Sequence, residues 1–242
     1  EKFKFTAKPN PVVGAIITKK NEIISEGYHE TFGENHAEVN AIQKAQHYLG
    51  EKFQSFSELT LICTLEPCSH QGKTGSCAHT IVKTGFKNVI IGAIDPNPIV
   101  AGNGIKILKE NGVNVEVGLL QDLVEKQNKF FFYKHKNNKP YITVKIASSI
   151  DGKSHYAGEK VFITSQSSRD DVQKIRAAHD AILTGGNTLQ NDNPKMNSRV
   201  DFQINQPKKI LLTNDLYDDK SDFFKDASVA VSYTHLRAHE TA

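Results

Sequence analysis

Three residues able to ligate a metal, His36, Cys68 and Cys77, stand in three separate segments of this chain. A fold that uses them has to bring those segments to one point. One imidazole and two thiolates make three protein ligands, the number a catalytic zinc site uses when its fourth position stays open to water. Glu38, in His36-Ala37-Glu38, adds a carboxylate able to move that water's proton.

The flanking sequence alternates strand and helix signals. Residues 12–18 are apolar and β-branched, and residues 23–27 follow the polar turn Lys19-Lys20-Asn21-Glu22, which predicts a hairpin. Residues 36–49 carry Ala37, Ala41, Ala45 and Tyr48 at helical spacing. Residues 59–65 are a continuous apolar run, expected as a strand of the buried kind. Cys77–Thr84 reads as a short helix stopped by Gly85. Asn88–Ala93 is a strand, residues 105–110 a helix ended by Asn111-Gly112, and Asn114–Val117 a strand. Such alternation implies an α/β layered sheet. Cys68 then follows a strand behind the stiff Pro67. Cys77 opens a helix, whose positive end favours thiolate over thiol.

Residues 119–139 end in the basic, aromatic KFFFYKHKNNK and read as a helix that becomes a linker. A second α/β unit begins at Pro140-Tyr141-Ile142-Thr143-Val144. It continues with a helix over about residues 167–178 and strands at 181–184 and 209–213; Gly185-Gly186 reads as a strand-end turn. No repeat relates the halves. The expected division is residues 1–118, a helix and linker at 119–139, a second domain at 140–230, and a tail at 231–242. The tail, containing YTHLRAHETA, continues neither pattern and reads as non-native. Its His235 and His239 are not taken as a metal pair.

Composition narrows the setting. No run of about 18 apolar residues is present to span a membrane. The opening EKFKFTAKPN lacks the apolar core of a signal peptide. Three cysteines are too few, and odd in number, for a disulfide framework. A cytoplasmic protein is expected, where a Cys pair near a His binds metal. Cys63, inside TLICTLE, reads as a small buried hydrophobe. A net charge of +3 does not call for nucleic acid and is compatible with a phosphorylated small substrate.

Removing an amine from an amidine carbon needs a strong nucleophile at neutral pH and a proton carrier. Zinc-bound water titrates near pH 7, and a carboxylate can pass its proton to the ring nitrogen and leaving amine. His/Cys/Cys ligands with a nearby non-ligand Glu are the zinc-deaminase pattern. A structural zinc site wants a fourth protein ligand, which His70 could supply. Its place in the loop from Ser69 to Ser76 favours a substrate contact instead. That loop puts eight residues between the thiolates where most zinc deaminases put two. It adds His70 and Lys73, both able to donate to a phosphate. A different nucleobase or nucleoside deaminase and a non-catalytic zinc-stabilised module are the competing readings.

Five segments, in order, carry a closer resemblance: Lys8-Pro9-Asn10-Pro11-Val12-Val13-Gly14, Gly27-Tyr28-His29, His36-Ala37-Glu38, Leu65-Glu66-Pro67-Cys68-Ser69-His70-Gln71-Gly72-Lys73-Thr74 and Asp95-Pro96-Asn97-Pro98. They resemble the deaminase half of the bifunctional riboflavin-biosynthesis deaminase/reductase family. The resemblance implies a cytidine-deaminase-like three-layer α/β fold, Zn2+ on His36, Cys68 and Cys77, and Glu38 as catalytic proton shuttle. The implied substrate is 2,5-diamino-6-ribosylamino-4(3H)-pyrimidinone 5′-phosphate, which loses its 2-amino group as ammonia. Asn10 and His29 match positions near the pyrimidine ring; His70, Lys73, Asp95 and Asn97 match positions that hold ribose and phosphate.

The second half resembles the same family's reductase domain, a partial dihydrofolate-reductase-like α/β fold. Pro140-Tyr141, Lys145-Ile146-Ala147-Ser148-Ser149-Ile150-Asp151-Gly152, Phe162-Ile163-Thr164-Ser165, Arg176 and Asn191-Asp192-Asn193-Pro194 carry the match. The resemblance implies NADPH-dependent reduction of the ribosyl group to ribityl. It puts Ala147, Phe162, Thr188 and Asp192 on the cofactor and Lys160, Arg176, Met196 and Arg199 on the substrate. Arg176 and Arg199 suit a phosphate chemically. Phe162 stands where the family often has Trp. The family's later glycine-rich cofactor segment and an acidic substrate contact have no counterpart here, and Gly102-Asn103-Gly104 is too short to stand in. The expectation is therefore a fragment with an intact deaminase, an NADPH site that does not close and little reductase activity. A homo-oligomer acting on a small molecule, with no nucleic acid and no membrane, completes the reading.

Overall fold

The computed structural model describes residues 3–20, 22–50, 53, 55–69, 75–154, 162–214, 220–225 and 229–233. The chain divides into two units, Glu1–Thr143 and Val144–Ala242.

In the first unit the expected hairpin forms from β1 (Gly14–Lys19) and β2 (Glu22–Tyr28). It is followed by α1 (Ala37–Leu49), β3 (Thr60–Leu65), α2 (Cys77–Thr84), β4 (Asn88–Ala93), α3 (Asn103–Glu110) and β5 (Asn114–Val117). The sheet order is β2-β1-β3-β4-β5. β1 pairs antiparallel with β2 and β3, with Ala15 opposite Cys63, whereas β3, β4 and β5 run parallel. β3 is buried on one face only: Leu61, Cys63 and Leu65 are buried, and Thr60, Ile62 and Thr64 are half-buried. An uninterrupted apolar run does not say which of its two faces is fully covered.

Ala15, Ile17, Leu61, Cys63, Val89 and Ile91 form a core with Ala41, Ile42 and Ala45 of α1, Ala78 and Ile81 of α2, and Leu108 of α3. Glycine brings α1 onto β2: a Cβ at Gly27 would lie 2.1 Å from Ala37 O. The Ser25 hydroxyl fastens the same contact by donating to Ala41 O at 2.8 Å.

The segment expected as helix and linker is two helices, α4 (Gln121–Gln127) and α5 (Lys129–Asn137). They meet at Asn128, whose buried amide accepts from Val12 N at 2.7 Å and donates to Val12 O at 3.0 Å. The side chain thus pairs with the lead into β1 as a neighbouring strand would. A Cβ at Gly92 would lie 2.9 Å from Val124 of α4. Position 92 points away from the face of Ile91, so α4 supplies the third layer. The two units divide after Thr143, and α5 ends at Asn137. Residues 140–149 join no strand among the described residues, and Ile142, Val144, Ile146 and Ile150 are exposed.

The second unit contains α6 (Gln166–Ala178), β6 (Ala181–Gly185), α7 (Gly186–Asp192), β7 (Lys208–Thr213) and β8 (Val229–Tyr233). Ser165 caps α6, its hydroxyl accepting from Ser168 N at 3.2 Å. Among the described residues its sheet is parallel, in the order β6-β7-β8. Leu189, Leu211 and Phe223 form its core. Buried Lys209 donates from Nζ to Phe223 O at 2.8 Å and Lys225 O at 2.9 Å, holding that turn to β7. Gly185-Gly186 is more than a turn, since α7 starts there. β8 crosses the expected boundary at 230 and pairs as far as Thr213 with Tyr233. The rest of the tail, including His235 and His239, lies outside the described residues.

Candidate metal centre

Strand direction gathers the predicted site residues. β3 and β4 are parallel, so Cys68 and the segment from Asp95 to Asn97 leave their carboxyl ends side by side. The antiparallel pairing of β1 returns its start, and the end of β2, to the same edge of the sheet. The crevice beyond the carboxyl ends of parallel strands is where open α/β sheets bind ligands.

His36 is the N-cap of α1, in an extended conformation, so Glu38 sits in the helix's first turn. His36 Nδ1 lies 3.5 Å from Cys68 Sγ and 3.3 Å from Cys77 Sγ. The three ligand atoms all lie within 4.8 Å of one another. Zn–N near 2.0–2.1 Å and Zn–S near 2.3 Å at a tetrahedral angle put neighbouring ligand atoms about 3.5 Å apart. The His/Cys/Cys set therefore fits zinc in spacing as well as chemistry.

Ser76 locks the two thiolate arms together. It caps α2, accepting from His79 N at 3.3 Å, while its hydroxyl donates to Cys68 O at 3.0 Å. Ala78 N also donates to Cys68 O, at 3.1 Å. The first N–H of α2, from Cys77, points at Cys68 Sγ at 3.4 Å. The helix end thus supports the Cys68 thiolate directly, as well as carrying Cys77.

The electrostatics follow from this crowding. Without a metal, the Cys77 thiol donates to Cys68 and holds it as thiolate far below the usual thiol range, with help from His36. The same sharing and burial push Cys77 up. The Cys68 thiolate in turn raises His36. Glu38 is buried, and desolvation pushes its carboxyl up to about 7, against the pull of its own backbone N–H and of His36. A carboxyl poised near neutrality can both take and return a proton.

Asn10 and His29 are brought to this cluster. His29 is buried, its ring 5.4 Å edge-on from that of His36. Burial lowers its pKa. Its Nδ1 lies 3.1 Å from Asn35 O, and its Nε2 3.0 Å from the Asn10 amide nitrogen. Both distances suit a neutral ring that donates from Nδ1 and accepts at Nε2. Asp95 and Asn97 stand on the loop after β4, where Asp95 Oδ1 accepts from Asn97 N at 2.8 Å and Asn97 Oδ1 from Ile99 N at 3.2 Å. His70 and Lys73 lie outside the described residues.

Sequence reasoning passed over Glu66. Its buried carboxylate accepts from four backbone N–H groups on two other segments. The available signal was an acid wedged between an apolar strand and a proline.

In the second unit, Arg176, Met196 and Arg199 lie together. Arg176 donates to Asn197 O at 3.1 Å, with Met196 Sδ at 4.0 Å. Burial and then the nearby Arg199 lower its pKa. Two guanidiniums drawn together suit an anion. Thr188 and Asp192 lie on α7, whereas Phe162 is 75% exposed, its ring 4.3 Å from the Arg169 guanidinium. No hydrogen bond joins Ala147 or Phe162 to Thr188 or Asp192 among the described residues. Lys160 lies outside them.

Comparisons with known proteins place both units. Residues 1–93 match the family described as the cytidine and deoxycytidylate deaminase zinc-binding region, and residues 140–242 match the RibD C-terminal domain. The chain is 43% identical over 210 residues to the riboflavin biosynthesis protein RibD of Bacillus amyloliquefaciens, covering 86% of this chain and 55% of that protein. It is 42% identical over 200 residues to the protein of the same name from Escherichia coli, covering 82% and 53%. The solved structure of Acinetobacter baumannii RibD superposes with a TM-score of 0.85 at 37% identity, covering 96% of this chain and 66% of that one. The chain is thus similar to RibD proteins through both matched regions, and spans about half the length of the curated relatives it matches.

Proposed function

We propose that the first unit is a zinc-dependent hydrolytic deaminase of riboflavin biosynthesis, acting on 2,5-diamino-6-ribosylamino-4(3H)-pyrimidinone 5′-phosphate. The observation that carries this is the meeting of His36, Cys68 and Cys77 beside the buried carboxyl of Glu38. Zinc, when bound, supplies the Lewis acidity that makes water a nucleophile near neutral pH. Glu38 carries one proton of that water to the ring nitrogen and then, as the C–N bond breaks, carries the water's second proton to the leaving amine, which departs as ammonia. Asn10 and His29 orient the pyrimidine against the metal ligands. Neutral His29 adds no positive charge there and leaves the proton traffic to Glu38. His70, Lys73, Asp95 and Asn97 hold the ribose and phosphate.

The second unit, on the same reading, belongs to the reductase half. Ala147, Phe162, Thr188 and Asp192 contact NADPH, and Lys160, Arg176, Met196 and Arg199 the substrate. The protein works in the cytoplasm as a homo-oligomer on a small phosphorylated pyrimidine, with no nucleic acid or membrane partner. No helix among the described residues is long and apolar enough to cross a membrane.

Ammonia release from the phosphorylated pyrimidinone, cytidine and guanine, assayed side by side, tests the reading. Turnover of the first substrate alone is expected. Turnover of cytidine or guanine in its place would reassign the substrate.

A further inference from the structure

Glu66 sits where the metal arm and the substrate arm of the site diverge. It follows β3 and precedes Pro67-Cys68, and its own N–H donates to Ala93 O at 2.9 Å, extending the β3–β4 pairing. Oε2 accepts from Asp95 N at 3.2 Å and Gly102 N at 3.0 Å. Oε1 accepts from Gly104 N at 2.9 Å and Ile105 N at 3.2 Å. A buried carboxylate is costly unless its lone pairs are met, and here four donors meet them. Three of the four come from the start of α3, the helix end that favours negative charge.

Two glycines make the arrangement possible. Gly102, at φ +76, takes the left-handed turn ahead of α3. A Cβ at Gly104 would lie 2.0 Å from Pro67 O. The helix start therefore rests on the peptide that carries Cys68, while the same carboxylate grips Asp95 at the head of the loop that ends in Asn97.

We infer that Glu66 is a positioning residue that couples the Cys68 arm of the metal centre to the substrate arm from Asp95 to Asn97. The inference rests on the deaminase reading. It adds that metal geometry and substrate affinity are set by one side chain touching neither. The Gln amide in Glu66→Gln keeps the shape but turns an NH2 group toward N–H donors, so two of the four bonds have no acceptor. Ser76→Ala instead loosens the bridge between Cys68 and Cys77 and leaves the loop from Asp95 untouched.

The test uses the full chain and three measurements: zinc affinity by chelator competition, the thiolate-to-cobalt absorption of the Co2+-substituted protein, and KM with kcat for the phosphorylated pyrimidinone at saturating zinc. Outer-shell partners of metal sites cost about 10–100-fold in affinity when lost. Glu66→Gln is expected near the lower end, with a shifted cobalt band and a severalfold higher KM. Ser76→Ala is expected to move metal affinity and the cobalt band with KM unmoved. Wild-type affinity and spectrum in Glu66→Gln, or an unmoved KM, would overturn the coupling. Wild-type protein that binds no zinc would instead sink the deaminase reading beneath it. If Glu66→Gln does not fold, amide hydrogen exchange in the wild type decides: slow exchange at Gly102 and Gly104 supports the four-bond carboxylate, and solvent-like exchange contradicts it.

Discussion

The two units use similar local ingredients and reach different degrees of burial around their predicted sites. In the first, His29 and Cys68 follow paired strands, His36, Glu38 and Cys77 stand at helix starts, and Cys68 is tied by hydrogen bonds to the start of α2. In the second, Phe162 is 75% exposed and the apolar side chains of Val144, Ile146 and Ile150 face solvent. Among the described side chains of β6 and β7 the core residue is Leu211, where the first sheet buries Leu61, Cys63, Val89 and Ile91 together. A site is preorganised by the covered strands that aim it, and a motif match alone does not bring those strands.

The sharpest way to break this contrast is at the metal. Cys77→Ala removes a ligand and the donor that faces Cys68, and is expected to abolish stoichiometric zinc and cut ammonia release by at least about 10³-fold, read by metal analysis and activity. Stability comes next. Leu61 in β3 is fully buried, so Leu61→Ala is expected to cost about 2–5 kcal/mol by denaturant unfolding. Gly27→Ala forces a methyl against Ala37 O and is expected to cost about 1–3 kcal/mol. Leu183→Ala, at a position of β6 that is 61% exposed, is expected to stay within about 0.5 kcal/mol. A large loss at Leu183 would show that the second unit is covered in solution in a way its exposure does not reveal.

Much of the first unit was legible because its signals are local. The hairpin, the helix over residues 36–49 and the helix from Cys77 to Thr84 follow from alternation, spacing and capping. What was missed depends on residues distant in the chain. Glu66 is satisfied by N–H groups from Asp95 onward, and Asn128 by Val12. Neighbouring residues do not tell which distant groups make either bond. Asn128 also broke the expected single helix by placing its side chain on another segment. α7, GNTLQND, is short and polar and offers no apolar period. β8 shows alternation in VAVSY, but its pairing to β7 is a long-range event. In the other direction, the β-branched run at residues 140–144, where the second α/β unit was expected to begin, joins no sheet among the described residues. β propensity describes a surface to be half-buried and does not supply the surface that buries it.

The central claim is that Glu38 moves protons beside a zinc held by His36, Cys68 and Cys77. Wild-type protein and Glu38→Ala, compared for zinc content and for ammonia release from the phosphorylated pyrimidinone, test it most directly. The account predicts one zinc per chain in both, with turnover lowered by about 10²–10⁴-fold in the variant. Unchanged turnover in Glu38→Ala, or wild-type protein that turns over without zinc, would contradict it.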